Sequence, residues 1–287
     1  MGNVKVSVAF LLAAVFCQLL LLPSPTKDLT DDVNGLRVVI TGASSGIGEE
    51  LTYQLAAMGA TIVITARTEY KLRQVANKCK DLYGADVFPI AADLASFENA
   101  SLVVSEGLNK LGGMDLLILN HFGDVEFGGY QHDPLNFQNA LVVNMMSHAH
   151  IASRSVQALS QSKGRIVAVS SAVGFLGSPF MITYATAKSA LNGFFTSLRH
   201  ELTFNQSDVS VTLCHLGYID TKSAERIKDN LILKPSSKKN CASEIVKSSM
   251  NRMSEMYFPA YFSWVHVFKT LFPSVMERAV QLLYKNV

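Results

Sequence analysis

One stretch near the start of this chain leaves little freedom of architecture. The run L-R-V-V-I-T, closing on the β-branched Val38 to Thr41, feeds directly into G-A-S-S-G-I-G and then E-E-L-T-Y-Q-L-A-A-M-G. Strand, glycine turn and helix in immediate succession open a βαβ unit and leave a helix N-terminus at the strand's carboxyl end. The glycines have separate tasks. Gly42 permits the tight turn, Gly46 lets backbone approach a pyrophosphate, and Gly48 lets the helix pack close to the strand. Free N–H groups and the positive dipole end then face phosphate oxygens. Thr41, Gly42, Ala43, Ser44, Ser45, Gly46, Ile47 and Gly48 are therefore the candidate dinucleotide cradle. The spacing is T-G-x-x-x-G-x-G rather than the commoner G-x-G-x-x-G. The competing reading, a glycine-rich turn without a ligand, is weakened by a second strand, T-I-V-I-T-A-R, at the right distance.

That second strand bears on cofactor choice. A chain using NAD usually ends this strand with Asp or Glu, bonded to the ribose 2′-hydroxyl. Here Arg67 ends it and Thr68 follows, with Glu69 close behind. A guanidinium suits a 2′-phosphate, which favours NADP(H).

A third group lies further on. Tyr184 and Lys188 stand four apart in Y-A-T-A-K, one helix turn apart on one face. An ammonium beside a phenol stabilises the phenolate and draws the tyrosine pKa down toward working pH. Such a tyrosine can give or take a proton at a carbonyl or alcohol oxygen. Ser171 ends the strand-like run G-R-I-V-A-V-S-S thirteen residues earlier, placed to offer its hydroxyl to the same oxygen. Tyr and Lys four apart are common on helix surfaces, so the pair gains meaning only from the phosphate loop upstream.

Strand and helix signals alternate from residue 36 to about 216, which argues for one doubly wound α/β domain in the 287 residues. Hydrophobic content of 49% leaves ample core, and a net charge of +2 without a basic run implies no nucleic-acid partner. The four cysteines, Cys17, Cys79, Cys214 and Cys241, make no disulfide framework. His148 and His150 are two apart and so on different helix faces, and no metal site is expected.

Strand-loop-helix combined with Ser171, Tyr184 and Lys188 resembles the short-chain dehydrogenase/reductase family over roughly residues 35 to 260. The resemblance implies a Rossmann-type parallel sheet in the order 3-2-1-4-5-6-7. Asp93-Leu94, after D-V-F-P-I-A-A, matches the family's adenine contact. Asn120, after D-L-L-I-L, matches the first Asn of its N-N-A-G, and Asn144 matches the asparagine that completes the catalytic set with Ser171, Tyr184 and Lys188. N-H-F-G at Asn120-His121-Phe122 and C-H-L-G-Y-I-D-T, carrying Gly217, Ile219 and Thr221, are similar to the 11β-hydroxysteroid dehydrogenase branch. That branch implies NADP(H)-dependent interconversion of hydroxyl and ketone on a small apolar, steroid-like substrate held at Ser171, in a homodimer. It carries Lys where Ser45 stands, so a second basic partner for a 2′-phosphate is missing. The substrate-side loop S-A-V-G-F-L-G-S-P-F-M-I-T differs too. A retinol or general carbonyl reductase is the alternative, and a non-catalytic membrane-anchored nucleotide-binding scaffold a third reading that the intact Asn-Ser-Tyr-Lys set opposes.

At the ends, Val6 to Leu22 is apolar apart from Ser7 and Gln18, with Lys5 before it and Pro23-Ser24-Pro25 after. Residues 1–34 are expected to be an anchor or signal segment with a linker, and residues 35–287 the catalytic domain. Either sends the domain into the secretory pathway; the resemblance implies an uncleaved endoplasmic reticulum anchor with a lumenal domain, and a cleaved signal would make it secreted. Sequons stand at Asn99 and Asn205. The aromatic-rich stretch M-Y-F-P-A-Y-F-S-W-V-H-V-F-K-T-L-F-P either packs on the protein or touches a membrane.

Overall fold

The computed structural model describes residues 29–284 apart from 124, 126–127, 129–132 and 229; the Val6–Leu22 run lies outside them, whereas the end of the expected linker is a short helix, Thr30–Val33, with Val33 buried in the core. Seven parallel strands form one sheet: β1 (Arg37–Thr41), β2 (Thr61–Ala66), β3 (Val87–Ala91), β4 (Leu116–Leu119), β5 (Arg165–Ser171), β6 (Ser210–Leu216) and β7 (Glu255–Phe258). Their spatial order is 3-2-1-4-5-6-7, as expected from the family resemblance. Beyond residue 216 the chain adds one more strand to the sheet, running through the short 3-10 turn Ala224–Ile227 and the helix Lys238–Met250 to β7.

Side chains alternate between the two faces along each strand, and both faces are covered. Val38 and Ile40 of β1, with Ile62 and Ile64 of β2, pack on Leu51, Leu55 and Ile245 from helices on one side. Val39 and Val63 point the other way, to Val103, Ile151, Leu191 and Phe195. That is why these strands read as continuous apolar runs. Pro89 is tolerated in β3 because this strand is an edge, pairing only with β2.

Between β1 and β4 the strand order reverses, and there a doubly wound sheet opens a crevice at its carboxyl ends. The amino ends of these strands are clamped. Arg37 donates from Nε and Nη2 to the two carboxylate oxygens of Asp115, 2.9 Å each. The crevice at the opposite end is thereby held in register.

The C-terminal aromatic stretch divides its roles. Met256 and Phe262 are buried, while Tyr261, Trp264, Phe268 and Phe272 stay exposed on β7's neighbouring helices, Phe262–Leu271 and Pro273–Leu282. None of the described helices is long and apolar enough to cross a membrane. Cys79, Cys214 and Cys241 are buried and free.

Candidate active site

The crevice is a cavity of about 520 Å³ along the carboxyl ends of the strands. Its floor begins at the glycine turn. A Cβ on Gly42, at φ +67°, would stand 2.6 Å from the His121 Cα, so this residue lets the turn pass under β4. A Cβ on Gly48 would meet the Gly42 carbonyl oxygen at 2.3 Å and Asn120 Nδ2 at 2.7 Å. Gly46 faces open space apart from the Thr221 side chain at 3.4 Å, leaving room for a bulky anion above the helix Gly46–Ala57. This bare cradle fits a dinucleotide pyrophosphate. Gly48→Ala is expected to cost about 2 kcal/mol or more of stability, since backbone rather than a flexible side chain must yield; chemical denaturation checks it.

Asn120 ties the two switch strands together. Its amide N donates to Thr41 Oγ1 at 2.9 Å, and its Nδ2 donates to the Thr41 and Gly42 carbonyls at 3.3 and 3.2 Å. His121 Nδ1 lies 2.8 Å from Thr41 Oγ1 and its Nε2 2.6 Å from Ser147 Oγ. The buried His148 ring stacks on it, with centroids 3.7 Å apart. Burial, helped by the Lys188 charge, takes His121 down to about 3, and burial takes His148 well below its ordinary value, so both rings are neutral.

Ser171, Tyr184 and Lys188 all line this cavity. Ser171 ends β5, where its Oγ donates to the Leu216 carbonyl at 3.2 Å and accepts from Val173 N at 3.3 Å. Tyr184 and Lys188 sit in the first turns of the helix Ile182–Phe204, with the Lys188 Nζ 5.8 Å from the tyrosine ring centroid. Lys188 Nζ donates to the Val169 carbonyl at 2.7 Å. Burial lowers its pKa to about 8. The expected lowering of the Tyr184 pKa is corrected here. Burial raises it, and a hydrogen bond with Ser171 pulls the other way without winning. Removal from water outweighs that single hydrogen bond.

The short chain dehydrogenase profile matches residues 37–231, which hold the glycine turn, Ser171, Tyr184 and Lys188. The chain belongs to the short-chain dehydrogenase family. The hydroxysteroid 11-beta-dehydrogenase 1-like protein of Xenopus tropicalis is 39% identical over 275 residues, covering 94% of this chain and 96% of that protein. Among solved structures, a short chain dehydrogenase from Burkholderia cenocepacia in complex with NADP superposes with a TM-score of 0.71 at 23% identity, over 78% of this chain and 96% of that one. A 7α-hydroxysteroid dehydrogenase complexed with NADH and 7-oxo glycochenodeoxycholic acid gives 0.73 at 19% identity, over 81% and 96%. At those identities the two structures speak to fold alone.

As in the family's fold, the expected positions gather at one crevice. Gly42, Ser44, Ser45, Gly46, Ile47, Arg67, Thr68, Asp93, Leu94, Asn120, His121, Phe122, Gly217, Ile219 and Thr221 line it with the Ser-Tyr-Lys group. Thr41, Ala43, Gly48 and Asn144 do not; all four are buried behind its wall. Asn144 sits buried in a π-helical turn, Val142–Met146. Its Oδ1 accepts from Gly123 N at 3.0 Å, and its Nδ2 donates to the Ala140 carbonyl at 2.8 Å. The side chain thus positions the loop after β4.

The sequence reading missed the far wall. Val280, Leu283 and Tyr284 close the cavity from the C-terminal end, and the Tyr284 hydroxyl bonds that of Ser178. Phe262 packs on Gly217, where a Cβ would come within 2.3 Å of its ring. Only the Gly217 position and the clustered aromatics hinted at this contact. Lys71, on the rim beside Arg67, was also missed.

Proposed function

We propose that this oxidoreductase uses NADP(H) to interconvert a hydroxyl and a ketone on an apolar, steroid-like substrate. One observation carries the reading: Ser171, Tyr184 and Lys188 converge at one end of a cavity whose other end is a bare glycine cradle. The substrate end is walled by Leu176, Met181, Leu231, Leu233, Val280 and Leu283. Such a lining suits a rigid apolar body, with polar groups at the reacting end. The relative from Xenopus tropicalis carries hydroxysteroid dehydrogenase in its name.

When bound, the dinucleotide supplies or receives the hydride, and the chain's residues handle everything else. In reduction, Tyr184 hands its phenolic proton to the substrate oxygen as the carbonyl carbon gains hydride. Ser171 Oγ holds that oxygen in place. The Lys188 ammonium stabilises the phenolate left behind and would also hold the nicotinamide ribose; the phenol is then reprotonated from solvent. Oxidation runs the same steps backwards. The raised Tyr184 pKa keeps the phenol protonated through neutral pH, the form that reduction needs. A panel of steroid ketones, steroid alcohols and retinoids, assayed with both cofactors in both directions, tests the reading. Turnover of a steroid with NADP(H) is expected; turnover of retinoids alone would overturn the substrate class.

The same reading holds the domain in the endoplasmic reticulum lumen as a homodimer. The Val6–Leu22 run is its anchor, and the exposed Trp264, Phe268 and Phe272 are a second bilayer contact. Asn205 is exposed at the end of the helix Ile182–Phe204. The sequon at Asn99 is engaged, since Asn99 Nδ2 donates to the Asp93 carbonyl at 3.2 Å and Ser101 Oγ lies 2.7 Å from His150 Nε2. Protein from secretory cells is therefore expected to show one glycosidase-sensitive mobility shift, lost in Asn205→Gln, and to stay with membranes on carbonate extraction. Soluble product in the medium would favour the secreted alternative.

A further inference from the structure

Two uncommitted cations stand at the adenine end of the cavity. Arg67 follows β2 and is exposed; Lys71, half-buried, lies in the first turn of the helix Glu69–Tyr83. Both line the cavity with Thr68, Ser44 and Ser45. Neither makes a hydrogen bond or ion pair with a described residue, and the Lys71 ammonium has only the Tyr70 ring at 6.0 Å. The acid between them is occupied: Glu69 Oε1 accepts from Arg73 Nη2 at 2.6 Å and from Nε at 2.9 Å. Among the described residues, neither Arg67 nor Lys71 is thus paired with a carboxylate, although Asp93 lines the same cavity.

The hydroxyls beside these cations are free as well. Ser45 and Thr68 occupy the N-cap positions of the two helices that open on the cavity, yet neither side chain caps its helix. Ser96, Asp133 and Ser237, on other helices, do cap theirs. Ser and Thr at this position normally bond the first-turn N–H groups. Two helix N-termini, two hydroxyls and two cations therefore line the same cavity, and their common complement is a compact dianion.

We propose that Lys71 is the second cation of the 2′-phosphate subsite, sharing the phosphate with Arg67 and taking the place of the basic residue absent at Ser45. The proposal rests on the reading of the cofactor as NADP(H). An ammonium on a four-carbon stem in the first helical turn can swing over the rim as a point charge, while Arg67 offers a planar fork. Lys71 is thus a specificity-determining residue. It acts on the phosphate that separates the two dinucleotides and not on the reacting end of the cavity.

Binding of 2′,5′-ADP and 5′-AMP, measured calorimetrically on the full chain, isolates this phosphate from the rest of the cofactor. Wild type is expected to prefer 2′,5′-ADP, and Lys71→Gln to weaken it about tenfold while moving 5′-AMP by no more than about twofold. Lys71→Arg should retain most of the preference, and raised salt should erode it. A thermal melt of each variant identifies any that fail to fold. If Lys71→Gln leaves an existing 2′,5′-ADP preference intact, or weakens both ligands equally, the role of Lys71 is overturned and the NADP(H) reading stands. If wild type binds the two ligands alike, the NADP(H) reading itself fails and the proposal with it.

Discussion

Tyr184→Phe is expected to lower turnover by about 10²–10⁴, the usual contribution of a positioned acid–base group, while leaving NADP(H) affinity nearly intact. The ring stays in the wall of the cavity, in edge contact with Phe122 at 5.5 Å, so packing is preserved and only the proton goes. Ser171→Ala should reduce turnover in the same direction, through loss of the hydroxyl that orients the reacting oxygen. Steady-state kinetics beside fluorescence titration of NADPH separates the two effects. Near wild-type turnover in Tyr184→Phe would end the case for this tyrosine as the proton donor.

Lys188→Met should inactivate the protein and also change how its stability depends on pH. Lys188 is 3% exposed, and burial takes its pKa from 10.5 to about 8. Below pH 8 both folded and unfolded chains carry the proton, and the folded state bears the full cost of a buried ammonium. Between about pH 8 and 10.5 the unfolded chain binds the proton and the folded chain does not, so stability rises with pH across that window. At ~1.4 kcal/mol per pH unit, the rise amounts to about 3 kcal/mol. In Lys188→Met this segment of the profile should vanish. At neutral pH the variant gains from losing the charge and gives back part of it, because the Val169 carbonyl loses its donor at 2.7 Å. Denaturant unfolding at pH 7 and pH 10 measures the difference. An unchanged profile would mean that Lys188 is hydrated and that its depressed pKa does not hold.

Much of the fold and part of the site could be read before any coordinates. The β1 run, the glycine turn and the Y-x-x-x-K pair act over a few residues, where strand period, helix turn and glycine conformation translate directly into geometry. The register that brings Ser171, at the end of β5, beside residues from the helix after it follows from the same local rules. Asn144 was legible as a position and not as a contact. A π-helical turn and a bond to Gly123 depend on backbone geometry that spacing does not encode. The sign of the Tyr184 shift was misread for a related reason. An adjacent ammonium is visible in sequence, while desolvation comes from every chain segment that covers the ring.

The sequence by itself pointed to the doubly wound sheet, the glycine turn and the candidate site residues Ser171, Tyr184 and Lys188, because the signals for each are written within single strands, turns and helices. Tertiary structure alone decided which distant segments complete the cavity. Val280, Leu283 and Tyr284 reach Ser178 and Leu231 across about a hundred and about fifty residues of chain respectively, contacts that pay no attention to periodicity. It also decided which charges stay available: Glu69 turns to Arg73, leaving Arg67 and Lys71 facing the rim. Pairing of side chains depends on distances of a few ångströms in three dimensions, and sequence spacing gives these only within a single helix or strand.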